Sequence, residues 1–184
     1  MAKLVTKTYG DALFELAADE NKMDALFEEV MALKGILDAN PDFLKMMNHP
    51  QISREEKEKV MEEVFSGRAS KDIEGFLKLL IINGRFSEID GILDYFIAKV
   101  KEYKKIGVAY VTTPLPLSDK QKSELVDKLL STTEYDTMEM NYSIDESLIG
   151  GMTIRIKDRV VDSSIKTKLS KLTNELLDIK LANA

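Results

Sequence analysis

The sequence predicts a mainly α protein with a small α/β part. A six-helix bundle spans residues 1–105, and an α/β domain with about three strands and two helices spans 106–184. Three observations carry this. Apolar residues recur at helical spacing through the first segments, which short polar loops separate. At Gly107 the pattern turns β-rich, as Val108-Ala109-Tyr110-Val111-Thr112-Thr113, and Pro114 and Pro116 stop it. Period-two alternation then appears over 138–144 and again over 152–157.

The first helix, over 4–19, carries Val5, Tyr9, Ala12, Leu13 and Leu16 in one stripe. Gly10, Ala12 and Ala17 are small, so another helix can come close. The second helix, over 22–39, turns Met23, Leu26, Phe27, Val30, Leu33 and Leu37 inward. Asn40 reads as a cap and Pro41 as the first residue of a short helix, which ends at Asn48-His49-Pro50. Ser53 and Glu56 have capping-box spacing, and the helix behind them buries Val60, Met61, Val64 and Phe65. A loop over 66–70 follows.

Residues 71–83 differ in kind. Ile73, Phe76, Leu77, Leu80 and Ile81 make an ordinary core face, yet Leu79 and Ile82 add apolar side chains on another side. A helix apolar on nearly all sides is buried on nearly all sides, in its own fold or against a partner. Asn83-Gly84 suits a left-handed helix end. Ser87 opens a sixth helix with Ile89, Ile92, Leu93, Phe96, Ile97 and Val100 inward.

In the second domain, Ser118 and Gln121 form another capping box, ahead of Leu125, Val126, Leu129 and Leu130 on a helix. Met138, Met140, Tyr142 and Ile144 line one face of a strand, and Met152, Ile154 and Ile156 one face of the next. Gly150-Gly151 marks the turn between them. Asp162-Ser163-Ser164 starts a last helix over 163–181. Its apolar residues Ile165, Leu169, Leu172, Leu176 and Ile179 are spaced four, three, four, three, a seam that packs on one helix or sheet face.

Composition narrows the function. The net charge is −6, so the chain lacks the basic footprint of a nucleic-acid binder. Cysteine is absent, which removes disulfides, thiol nucleophiles and thiolate metal sites. No apolar run approaches the roughly 18 residues of a membrane span, and the N-terminus has no apolar signal core and reads as mature protein. Gly150-Gly151 is followed by Met152-Thr153, not the Lys and Ser or Thr of a phosphate loop. Asp145, Glu146, Asp158 and Asp162 could hold a hard cation or do acid–base work. The calcium-loop pattern is missing, however, and each has a local role: turn, turn, hairpin tip and helix cap. His49, the sole histidine, lies in a loop with no serine context for a triad. No catalytic, cofactor-binding or metal-binding residue is expected.

Several segments together resemble the δ subunit of bacterial F-type ATP synthases, the counterpart of the mitochondrial oligomycin-sensitivity-conferring protein. They are Tyr9-Gly10-Asp11-Ala12-Leu13-Phe14-Glu15-Leu16-Ala17, His49-Pro50, Asn83-Gly84-Arg85-Phe86 and Pro114-Leu115-Pro116-Leu117-Ser118. The strongest is Asp145-Glu146-Ser147-Leu148-Ile149-Gly150-Gly151-Met152, continuing to Val161-Asp162-Ser163-Ser164-Ile165. The resemblance covers nearly the whole chain in order. Gly10 departs from it, because a larger residue or alanine is expected there.

The resemblance implies a non-catalytic peripheral-stalk subunit that uses no cofactor. It implies that residues 1–105 bind the catalytic head, with the N-terminal helix of an α subunit lying in a groove between the first and fifth helices. By position, Tyr9, Ala12 and Leu13 on the first helix and Leu79, Ile82 and Asn83 on the fifth would line that groove. Residues 106–184 would meet the C-terminal ends of the stalk b subunits. The protein would sit at the cytoplasmic face of the bacterial inner membrane, peripheral through the complex, inserting nothing into the bilayer and binding no nucleic acid. The residues alone leave two other readings: a soluble adaptor that captures an amphipathic helix of another partner, and an enzyme built on the carboxylates near Gly151.

Overall fold

The computed structural model describes residues 2–172. Two compact units are present, Met1–Lys101 and Glu102–Ala184.

The first unit is helical. Its elements are α1 (Ala2–Asp19), α2 (Met23–Ala39), α3 (Pro41–Met47), α4 (Arg54–Phe65), α5 (Lys71–Ile82) and α6 (Ile89–Tyr103). The last residues of α6 belong to the second unit. Leu13, Leu26, Leu37, Leu77, Leu80 and Phe96 are among the fully buried side chains of one continuous core. Phe43 meets the rings of Phe65 and Phe86 edge-on, with centroids 6.2 and 6.4 Å apart. Such pairs add directional packing to the burial itself.

Local chemistry sets the helix ends. The Ser53–Glu56 capping box is complete: the Ser53 hydroxyl accepts from the Glu56 N–H, and the Glu56 carboxylate accepts from the Ser53 N–H at 2.9 Å. The Ser70 hydroxyl caps α5 by accepting from the Ile73 N–H and donates to Glu29 on α2 at 2.6 Å. At the other end of α5, Gly84 takes φ +61°. The Arg85 N–H then reaches the Leu80 carbonyl and the Gly84 N–H the Ile81 carbonyl, satisfying two end carbonyls. Two details differ from the sequence reading. Asn40 caps nothing forward; its amide donates back to the Ile36 carbonyl at 2.8 Å and closes α2. The chain enters α6 through a single 3-10 turn, Phe86–Glu88, because Phe86 is drawn into the core.

The second unit holds a four-stranded sheet in the order β2-β1-β3-β4. The strands are β1 (Ile106–Thr113), β2 (Thr137–Ile144), β3 (Thr153–Ile156) and β4 (Arg159–Asp162), with α7 (Asp119–Thr132) between β1 and β2. β1 and β2 are parallel, from Ile106 opposite Thr137 to Thr113 opposite Ile144, so α7 is the crossover that a parallel pair requires. β1 and β3 are antiparallel, as are β3 and β4. β4 is one strand more than the sequence suggests. Its four residues, Arg159-Val160-Val161-Asp162, are all exposed and too few to show alternation.

The last helix begins at 165, not 163, and is described to 172; we label it α8. Ser164 is its N-cap: fully buried, its hydroxyl accepts from the Thr167 N–H at 3.2 Å. Leu176 and Ile179 of the expected seam lie outside the described residues.

Candidate docking surface

Both glycines near β3, and the acids Asp145 and Asp162, hold local structure. Gly151 takes φ +77°, and a Cβ there would stand 2.4 Å from the Ser163 carbonyl oxygen. The Ile165 N–H donates to the Gly150 carbonyl at 2.9 Å, and the Ser163 N–H to the Met152 carbonyl at 3.0 Å. The glycine pair therefore holds the start of α8 against the start of β3. Asp145 accepts from the Ser147 N–H at 2.9 Å, which closes a turn; bonds from Ser147 hold its carboxyl below the usual range. The His49 ring accepts from the Gln51 N–H at 3.3 Å. Among the described residues, no group of three or more histidines and acids could hold a metal.

Asp162, expected to cap the last helix, braces the cap instead. One carboxylate oxygen accepts from the Ser164 N–H at 2.8 Å and the other from the Thr167 hydroxyl at 2.7 Å. These bonds, that from Thr167 largest, lower its pKa from 3.8 to about 2. The group is more easily ionised in the folded state, so its stabilisation is complete above the unfolded value. It fades as pH falls from 3.8 toward about 2. Asp162→Asn is accordingly expected to flatten the melting temperature of the second unit over that interval, with fluorescence or circular dichroism as the readout. A variant as acid-sensitive as wild type would assign the pH dependence to other carboxylates.

The exposed apolar side chains are more informative. On α5, Leu79 and Ile82 are 47% and 45% exposed, while Ile73, Leu77 and Leu80 on the opposite face are buried. Gly75, Leu79 and Ile82, all exposed, recur at i, i+4 and i+7 and share one side of the helix. Asn83, also exposed, adjoins them. On α1, Val5, Tyr9, Ala12 and Leu16 follow the same spacing; Ala12 is exposed and the other three half-buried. The 3-10 turn that follows α5 lies against α1. Leu13 does not join this line. At 1% exposure it faces the core with Gly10 and Ala17, because it stands about 100° around the helix from Ala12. It can support a docking surface from below and cannot line one.

A contact that sequence reasoning missed ties α1 to α6. A Cβ at Gly10 would lie 2.4 Å from Cδ1 of Tyr95, so the glycine is a socket for that ring. The Tyr95 hydroxyl donates to Asp11 Oδ1 at 2.9 Å. Lys99 bonds the same oxygen, and its ammonium lies 4.6 Å from the Phe14 ring centroid. Lys99 first, then Tyr95, holds the Asp11 carboxyl below its ordinary range. The only advance signal was the small residue at position 10.

In the second unit, an open trough of about 890 Å³ is lined by Leu129, Tyr135, Ile154, Ile156 and Val161, with charged residues at its rim. No described helix is long and apolar enough to cross a membrane.

The exposed apolar side chains thus lie in stripes on the helical unit and in a trough beside the sheet. The sequence profile of the family described as ATP synthase delta (OSCP) subunit matches residues 5–176. ATP synthase subunit delta of Lachnoclostridium phytofermentans is 51% identical over 98% of this chain and 100% of its own length. That of Lactobacillus acidophilus is 32% identical over 95% of each chain. A chain of the Toxoplasma gondii mitochondrial ATP synthase hexamer shares the fold, with a TM-score of 0.73 at 22% identity, covering 94% of this chain and 97% of its own. The chain belongs to the ATP synthase δ (OSCP) family: it is a non-catalytic, peripheral-stalk subunit of an F-type ATP synthase, a membrane-associated complex.

Proposed function

We propose that this subunit joins the catalytic head to the stalk b subunits, so that the head resists rotation while proton flow drives synthesis. The segment 1–105, which contains the helical unit, takes the N-terminal helix of an α subunit. That helix lies against Tyr9 and Ala12 of α1 and Leu79, Ile82 and Asn83 of α5. The α/β unit, residues 106–184, meets the C-terminal ends of the b subunits, and the whole sits at the cytoplasmic face of the bacterial inner membrane. The observation that carries this reading is the exposure of Leu79 and Ile82 on a helix whose other face is fully buried. Two apolar stripes with the same i, i+4, i+7 spacing suit an amphipathic helix laid between them. The trough beside Ile154 and Ile156 gives the second unit an apolar surface of its own. The work is mechanical and needs affinity and stiffness, not a reactive group.

The test is titration of the chain with a peptide copying the α subunit's N-terminal helix. Wild type is expected to bind it. Leu79→Asp, on the exposed stripe, is expected to weaken binding at least ~10-fold while stability changes by only about 0.5 kcal/mol. No binding by wild type at high micromolar peptide would sink the groove. Collapse of helical circular dichroism in Leu79→Asp would make Leu79 a core residue.

A further inference from the structure

We propose that Tyr95, seated on Gly10, is a positioning residue that fixes the register of α1 along α6 and so places Tyr9 and Ala12 for docking. The register claim stands on the helical unit alone; its consequence for docking rests on the groove reading above.

Contacts repeat along the two helices at matching steps. A Cβ on Gly91 would meet the Thr6 hydroxyl at 3.3 Å; Tyr95 lies on Gly10; Lys99 lies over Phe14. Each step advances four residues on both helices, so α1 and α6 run parallel and stay in one register over about two turns. The middle contact admits only one register. Gly10 is the sole glycine of α1, and its neighbours a residue away are Tyr9 and Asp11. A slide of one full turn would bring Thr6 or Phe14 beneath the ring instead. Any of these puts a Cβ where none fits, because the gap from Gly10 to Tyr95 is already 2.4 Å for an added carbon. The hydroxyl of the same tyrosine then reaches Asp11, whose other partner is Lys99. One ring thus sets both the distance and the sliding position of α1.

The consequence for docking is geometric. Tyr9 and Ala12 flank Gly10 and Asp11 directly, so they move with the lock. Each residue of slip carries a helical side chain 1.5 Å along and 100° around the axis, by ordinary helix geometry. That is enough to turn the whole stripe of Val5, Tyr9, Ala12 and Leu16 out of its place in the groove. The socket also explains why glycine stands where the family resemblance leads one to expect a larger residue.

The experiment uses the full chain and three variants, Gly10→Ala, Tyr95→Phe and Gly10→Ala/Tyr95→Ala. Two readouts are taken well below the melting point: amide hydrogen exchange across α1, and affinity for the peptide copying the α subunit's N-terminal helix. Gly10→Ala is expected to speed exchange in α1 and weaken the peptide ~10-fold with unchanged helical circular dichroism. The double variant relieves the clash but also removes the ring and its hydroxyl bond, so the register stays unlocked and both readouts are expected to remain displaced from wild type. Tyr95→Phe, which loses only the hydroxyl bond, is expected to fall between wild type and Gly10→Ala. Unchanged α1 exchange in Gly10→Ala, or a double variant that regains wild-type exchange without the ring, overturns the lock. A Gly10→Ala protein that melts lower yet binds peptide as wild type does overturns the positioning role and leaves ordinary packing. If wild type binds no peptide, the groove reading fails and the exchange arm decides the lock by itself.

Discussion

Gly151→Val is expected to unfold the α/β unit at ordinary temperature while the helical unit stays folded. Two effects add. A β-branched residue held at φ +77° carries backbone strain of about 1–3 kcal/mol. The new Cβ also stands 2.4 Å from the Ser163 carbonyl oxygen. That carbonyl has little room to retreat: the Ser163 N–H and hydroxyl both donate to Met152, at 3.0 and 2.9 Å, and the Asp162 brace follows at Ser164. Together these reach the order of 5 kcal/mol, a large share of what a small domain has. Backbone NMR reads the outcome. Resonances of 106–162 are expected to collapse toward random-coil positions while those of α1–α5 keep their dispersion. Retained dispersion in the sheet would show that the segment at Ser163 moves aside cheaply.

Leu13→Ala is expected to destabilise the helical unit by about 2–5 kcal/mol, the range for emptying a closely packed leucine site. Leu13 is 1% exposed and lies in the same core as Leu80 and Phe96. Its effect is expected in denaturant midpoint, with peptide affinity near wild type once the domain is held folded at low temperature. Leu79→Asp should show the reverse pattern. If Leu13→Ala instead left stability intact and abolished peptide binding, the side chain would be a docking residue after all.

Much of the architecture could be read before any coordinates. The six helices follow from apolar spacing, and both capping boxes, at Ser53 and Ser118, form as their residue types demand. What escaped the sequence was short or shared. β4 has only four residues, too few to show a period, and it is identified by its pairing to β3. Asn40 offered a plausible forward cap, yet the amide found the Ile36 carbonyl one turn back. Asp162 and Ser164 compete for one role, and the Thr167 N–H decides it by donating to the Ser164 hydroxyl. The exposed apolar stripe was legible on α5, where Leu79 and Ile82 stand outside an otherwise complete core face. It was less legible on α1. There Leu13 and Ala12 belong to one apolar run, and only the direction of the core separates them. The Tyr95–Gly10 contact could not be seen at all, since its partners are distant in sequence and their meeting depends on the fold.

The order of strands carries a consequence for how the chain is made. β1 leaves the ribosome early, but its neighbours are β2, which waits on the α7 crossover, and β3, which follows β2. Its ladders therefore close late and across long loops, the slow kind of pairing. The helical unit is complete once α6 has emerged, before β2 and β3 are made. During synthesis it condenses first, as N-terminal units do. For a time β1 follows it as an extended strand with both edges open and Val108, Tyr110 and Val111 unsheltered. Open strand edges of that kind are prone to pair with other chains, so the vulnerable interval is the one before β2 and β3 arrive.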